Sequence, residues 1–230
     1  MRPGDAAAQT GGTLGIRAPA WFAGLMTEIA MFPLGSVLFP YMPLRLRVFE
    51  DRYLVMLSRI LQSDISEFGV VLIERGQEVG GGEHRFPYGT VAQITELEAP
   101  EGFVGLLAQG SRRIEVIEWM TEDPHPQAVV RELVELEWHD ELLPLRREAE
   151  REVRRALALA SEFDDQLWPA DVQLSEDPAA AAWQLAGIAP VGPLDQMKLL
   201  RAETMEELLH SIIESSVAAA DGLRAAWPDE

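Results

Sequence analysis

From Leu44 to Val48 the chain alternates, with Leu44, Leu46 and Val48 interleaved with Arg45, Arg47 and Phe49, as in a strand that lays one face on a core. A few residues later the period lengthens. Tyr53, Leu54, Leu57, Ile60 and Leu61 recur at helical spacing, so the pattern predicts strand giving way to helix near Glu50. Pro33, Pro40 and Pro43 cannot donate to a sheet ladder, which confines their surroundings to edges, bends or strand starts.

Further short strands are predicted downstream. Phe68 to Arg75, Gly89 to Ala99, Phe103 to Gly110 and Arg113 to Trp119 are β-branched or alternating runs separated by Gly- and Pro-containing turns. The run Gln127 to Trp138 also alternates, with a shift near Arg131, and reads as a closing strand. Six or so strands with one early helix make a compact, barrel-like β unit over residues 26-138. Beyond Trp138 the composition turns to Ala, Leu, Glu and Arg. Leu145, Ala149, Val153, Ala156, Leu157 and Ala160 share one face of a long amphipathic helix, with Pro144 in its first turn. A second helix is expected from about Asp177 to Ala189, capped by Ser175 or Asp177, with Pro178 at its first position. Two more follow, broken at Gly192 and Ala202, so residues 139-230 form a helical bundle.

Residues 1-25 show neither period and are expected to form a disordered extension, with Met26 or Met31 as an internal start. The apolar patch Ala18–Met26 is too short to span a bilayer and has no convincing cleavage site after it. Neither export nor a membrane partner is expected. Across 230 residues there is no cysteine, which suits a reducing compartment and makes the cytoplasm the expected location. The formal net charge is -19, which repels phosphate backbones and argues against nucleic acid as a partner. The same charge should speed the approach of basic segments.

The glycines Gly80, Gly81 and Gly82 are followed by Glu83, His84 and Arg85 and then a strand. A phosphate loop needs a Lys-Ser/Thr pair and a helix there, so the segment reads as a hairpin loop. His84, His125, His139 and His210 stand in no metal-binding spacing and read as solvated or core histidines. His139 to Glu141 reads as the start of the long helix, and the pairs Asp164-Asp165 and Glu206-Glu207 as solvated carboxylates. No metal or other cofactor is expected.

Pro33, Leu34, Val37, Phe39, Pro40, Pro43, Leu44, Val48, Phe49, Glu50, Arg52 and Tyr53 match a run of the Lon protease N-terminal, substrate-binding domain family. Later segments resemble that family's strands and helices in order, from about Met26 to Ile213. The resemblance implies an α+β fold, a PUA-like β pseudo-barrel followed by a C-terminal helical bundle. It also implies a stand-alone member: the sequence contains no Gly-x-x-x-x-Gly-Lys-Ser/Thr loop, and its single lysine, Lys198, lies in a helical pattern with no serine motif. The expected function is therefore non-catalytic binding of unfolded or misfolded protein segments, as adaptor or holdase, with a protease as a further partner. The candidate contacts are Phe39, Tyr41, Met42, Phe86 and Tyr88, each with a competing reading as a core or lid residue. The rival expectation is a small-molecule-binding or enzymatic role in a pocket between the β unit and the helices. Convergent polar groups would favour the rival, and an open apolar groove would favour clients.

Overall fold

The structure, a computed structural model, describes residues 26–63, 66–75, 84–99, 102–162 and 168–226. The expected N-terminal extension, the triple glycine and Asp164-Asp165 lie outside them. The strands are β1 (Met26–Leu34), β2 (Pro43–Val48), β3 (Glu67–Arg75), β4 (His84–Glu98), β5 (Val104–Trp119) and β6 (Gln127–Glu132), with helix α1 (Asp51–Ile60) after β2. The strands form one sheet in the order β2-β5-β4-β3-β1-β6, and β5 pairs with β6 as well. Among the described strands only β1 and β3 run parallel.

That last pairing closes the sheet. The first half of β5 pairs with β2, from Val104 to Gln109, while Ile114 to Trp119 pairs with β6. Strands β5, β4, β3, β1 and β6 therefore make a ring, and β2 is attached outside it. Register shifts in β4–β5 near Ala92 and Glu96 bend the long strands as closure demands. Ile29, Met31, Val71, Val91, Ile114, Val116, Ala128 and Val130 fill the ring. Phe68, Val70 and Leu72 face the other way into a larger core, so β3 is buried on both faces, as its unbroken apolar run requires.

The remaining helices are α2 (Leu143–Ala160), α3 (Pro178–Ile188), α4 (Pro193–Leu200) and α5 (Met205–Ala226), with a single 3₁₀ turn at Asp140–Leu142 leading into α2. Helix α2 buries Ala149, Val153, Ala156, Leu157 and Ala160, the face its sequence predicts. Asp177 caps α3 by accepting from the Ala180 N–H at 2.8 Å, while the Ser175 hydroxyl accepts from the Asp177 N–H instead. Helix α3 is apolar nearly all round and central; Trp183, Leu185, Ala186 and Ile188 join Phe39, Met42 and Leu106 of the β region in the larger core.

Two details differ from the sequence pattern. Gly110 and Ser111 do not turn the chain, because β5 runs straight through them. A Cβ on Gly110 would collide with the Phe39 carbonyl oxygen, so this glycine marks a close backbone approach inside a strand. The closing strand stops at Glu132; after Leu133 N–H donates to the Arg113 carbonyl, the chain leaves the sheet and buries Leu136 in the larger core. Pro33 lies within β1, on an edge stretch of the kind its missing N–H requires. It is tolerated because β6 pairs only with Met26 to Ala30, which leaves Met31 to Leu34 with β3 alone.

Candidate functional site

The loop between β1 and β2 is fastened to the sheet at several points. Tyr41 N–H donates to the Gly110 carbonyl at 2.8 Å, and Gly110 N–H donates to the Met42 carbonyl at 2.9 Å. The Thr90 hydroxyl donates to the Leu38 carbonyl at 2.7 Å. Tyr41 adopts φ 63°, a left-handed turn conformation unusual for a non-glycine residue, and it sends consecutive side chains to opposite sides of the loop. Leu38, Phe39 and Met42 turn inward, and the Phe39 ring lies 6.3 Å from that of Trp183. Gly187 of α3 makes room for Met42, since a Cβ there would sit 2.5 Å from its Cγ.

Between this loop, β2 and helices α3 and α4 lies a cleft of about 630 Å³. Its walls are chiefly apolar, from Val37, Leu38, Phe39, Met42, Leu44 and Trp168, with Arg45 and Gln196 among the few polar lining groups. Phe39 and Met42 thus belong to the cleft as buried wall residues, 1% and 7% exposed. Leu44 and Val37 are half-buried.

The other three predicted contacts lie elsewhere. Tyr41 lines a second cavity of about 310 Å³ shared with Arg112, Arg113 and Trp183. Its hydroxyl reaches Glu135 Oε1 at 3.4 Å, and its pKa is raised, first by burial and then by the charges of Glu135 and Asp177. Tyr88 lines a third cavity, of about 370 Å³. Its ring lies under the Arg201 guanidinium at 4.7 Å, and its hydroxyl donates to Glu115 at 3.3 Å. Phe86 is half-buried against the larger core. The five candidates therefore do not form one patch.

Arg113 was not singled out from the sequence. It is only 6% exposed, donates to the carbonyls of Leu200, Ala202 and Val134 at 2.9, 2.7 and 2.8 Å, and stacks over Trp183 at 5.0 Å. Burial lowers its pKa. Its neighbour Arg112 makes two hydrogen bonds to Glu67, at 2.9 and 2.5 Å, and another to Glu132; these charge-assisted bonds, that to Glu67 foremost, raise its pKa. Both arginines of the second cavity are thus committed to the fold. Among the described residues no three His, Asp or Glu side chains converge on a point that would hold a metal. His125 is buried, with Nδ1 3.0 Å from the Pro126 carbonyl and Nε2 3.4 Å from Arg59 Nη1. Lys198 is exposed, 3.9 Å from Glu214.

Residues 28–215 match the model of the ATP-dependent protease La (LON) substrate-binding domain. The chain belongs to this family. Curated relatives include Lon protease of Heliobacterium modesticaldum, 29% identical over 110 residues, which are 47% of this chain and 14% of that protein. Lon protease 2 of Herpetosiphon aurantiacus is 25% identical over 198 residues, 83% of this chain and 24% of that protein. The Lon-type chain thus spans a quarter or less of the curated relatives it matches. A Lon N-terminal domain protein from Xanthomonas campestris has a similar crystal structure, with TM-score 0.57 and 25% identity over 82% of this chain and 98% of that one. The N-terminal domain of the Mycobacterium avium complex Lon protease shares the fold, with TM-score 0.59 at 16% identity over 83% and 98% of the two chains. The α+β architecture and the resemblance carried by the Pro33–Tyr53 run both agree with these findings. No described helix is long and apolar enough to cross a membrane.

Proposed function

We propose that this Lon-type chain is a non-catalytic binding module that takes exposed apolar segments of unfolded proteins into the cleft beside β2, as an adaptor or holdase. The observation that carries this reading is the apolar lining of that cleft in a chain of the Lon substrate-binding family. The rival reading of a small-molecule or catalytic pocket is disfavoured by the second cavity, whose arginines are already engaged by carboxylates and carbonyls. A protease would act as a separate partner that receives the held client.

A permanently unfolded, fluorescent client protein titrated against the chain tests the proposal. Binding is expected in the micromolar range, because the apolar area gained is largely offset by ordering of the client. A Val37→Asp, Leu44→Asp variant, checked for its fold by circular dichroism, should bind about tenfold or more weakly, a loss of about 1.4 kcal/mol. ATP and casein should remain unconsumed. Equal affinity of variant and parent, or turnover of either substrate, overturns the proposal.

A further inference from the structure

Among the described residues the outer edge of β2 is open. No described strand other than β5 pairs with β2, and its register with β5 is unbroken from Pro43↔Gln109 to Val48↔Val104. The Met42 carbonyl accepts from Gly110, and in an antiparallel pair successive residues turn their N–H and C=O groups to opposite sides. The backbone groups of Leu44, Leu46 and Val48 therefore point at β5, and those of Pro43, Arg45 and Arg47 point away from the sheet. Such a row of open donors and acceptors is a template for another strand. The apolar cleft borders the same edge, since Pro43, Leu44 and Arg45 are part of its lining.

The charge along the edge is distinctive. In a chain with 38 acidic and 19 basic residues, the exposed face of β2 presents two arginines in alternate positions. Neither Arg45 nor Arg47 has an ion-pair partner among the described residues; Arg47 lies 4.1 Å over the Phe103 ring. Glu96 and Glu98 stand on the same face two strands away, in line with Arg45 and Arg47 across Leu107 and Gly105. A strand added at about 4.8 Å from β2 would lie closer to the arginines than β4 does.

Resting on the client-binding reading above, we infer that β2 captures its client as an added β-strand. The client is an extended segment with apolar residues and carboxylates in alternation, its apolar side chains on the cleft side and its carboxylates opposite Arg45 and Arg47. Backbone pairing supplies sequence-tolerant affinity, and the cleft with the two arginines supplies preference, the division of labour seen where peptides add to sheet edges. A second copy of this chain is a poorer occupant, because β2 paired on β2 sets arginine against arginine, and like charges in cross-strand pairs are destabilising. The negative charge of the whole chain governs how fast segments approach, whereas the arginines act within the screening length of about 10 Å at 0.1 M salt.

The test uses four fluorescent seven-residue peptides at about 0.1 M salt: an alternating Val/Glu peptide, its Val/Lys counterpart, and two Val/Glu versions N-methylated on one or the other alternate set of amides. The full chain should bind Val/Glu at least tenfold tighter than Val/Lys, and an Arg45→Glu, Arg47→Glu variant should reverse that order. One methylated peptide should lose binding and the other keep it, because only one set of amides can face β2. Val/Glu should also compete with the unfolded client. Equal binding of both methylated peptides overturns strand addition, as does a preference that ignores the two arginines. A client that binds but is not displaced by Val/Glu overturns strand addition and leaves the wider reading standing, whereas absence of client binding counts against the wider reading itself. A concentration-dependent dimer that the peptide dissolves assigns the edge to a second copy instead.

Discussion

Tyr41 shows how much one residue does in this loop. Its left-handed backbone turns the chain between Phe39 and Met42, and its ring and hydroxyl occupy the opposite side near Glu135. Burial and two nearby carboxylates disfavour the phenolate, so its folded pKa lies above the ordinary value of 10.0. A group whose pKa is raised on folding stabilises the protein fully below its unfolded value and loses that contribution as pH climbs through the folded value. Urea midpoints for the parent should therefore fall more steeply than those of a Tyr41→Phe variant as pH climbs above about 10. Parallel pH profiles would refute the assignment. At this scale the sequence was only partly legible. Large residues beside prolines stand out as candidates, but alternation cannot tell which side of an irregular loop each one takes, and Arg113 looks like any other arginine in an alternating run.

Elements were more legible, because their periods are imposed by burial. Helices α2 and α3 lie where spacing, Pro144 and the Asp177–Pro178 pair indicate. One failure arises because glycine carries two meanings. At Gly110 the signal for a turn marked a backbone crossing instead, where the β1–β2 loop rests on β5. A Gly110→Ala substitution is consequently expected to cost about 1–3 kcal/mol by urea denaturation, because the obstructing atom is a backbone carbonyl that cannot rotate aside. It should weaken client binding too, by loosening the cleft wall. A stability within about 0.5 kcal/mol of the parent would show that the loop shifts freely. Neither Trp168 nor Gly187 could have been tied to the cleft beforehand, since each meets the β1–β2 region only through the tertiary fold.

For the whole molecule, composition marks a division near Trp138, yet the larger core takes side chains from both sides of it. Arg113 adds a polar tie, holding the carbonyls that end α4 and the segment after β6 from within β5. We expect the sheet and the helices to unfold in one transition, so that urea curves followed by tryptophan fluorescence and by helical circular dichroism coincide. Two separated midpoints would show that the core is divisible.

Closure of the ring through β5 also fixes a number. Strand β6 has neighbours on both sides, and the unpaired stretch of β1 is short, carries Pro33 and already gives its Met31 amide to Pro126. Among the described strands β2 offers six residues beside the apolar cleft, whereas Thr95–Glu98 of β4, beyond the start of β3, carries two glutamates that repel such a client. Occupancy should therefore saturate at one segment per chain, and a long client with several suitable stretches would collect several chains along itself like beads, each chain a terminus from which no further pairing spreads to its neighbours.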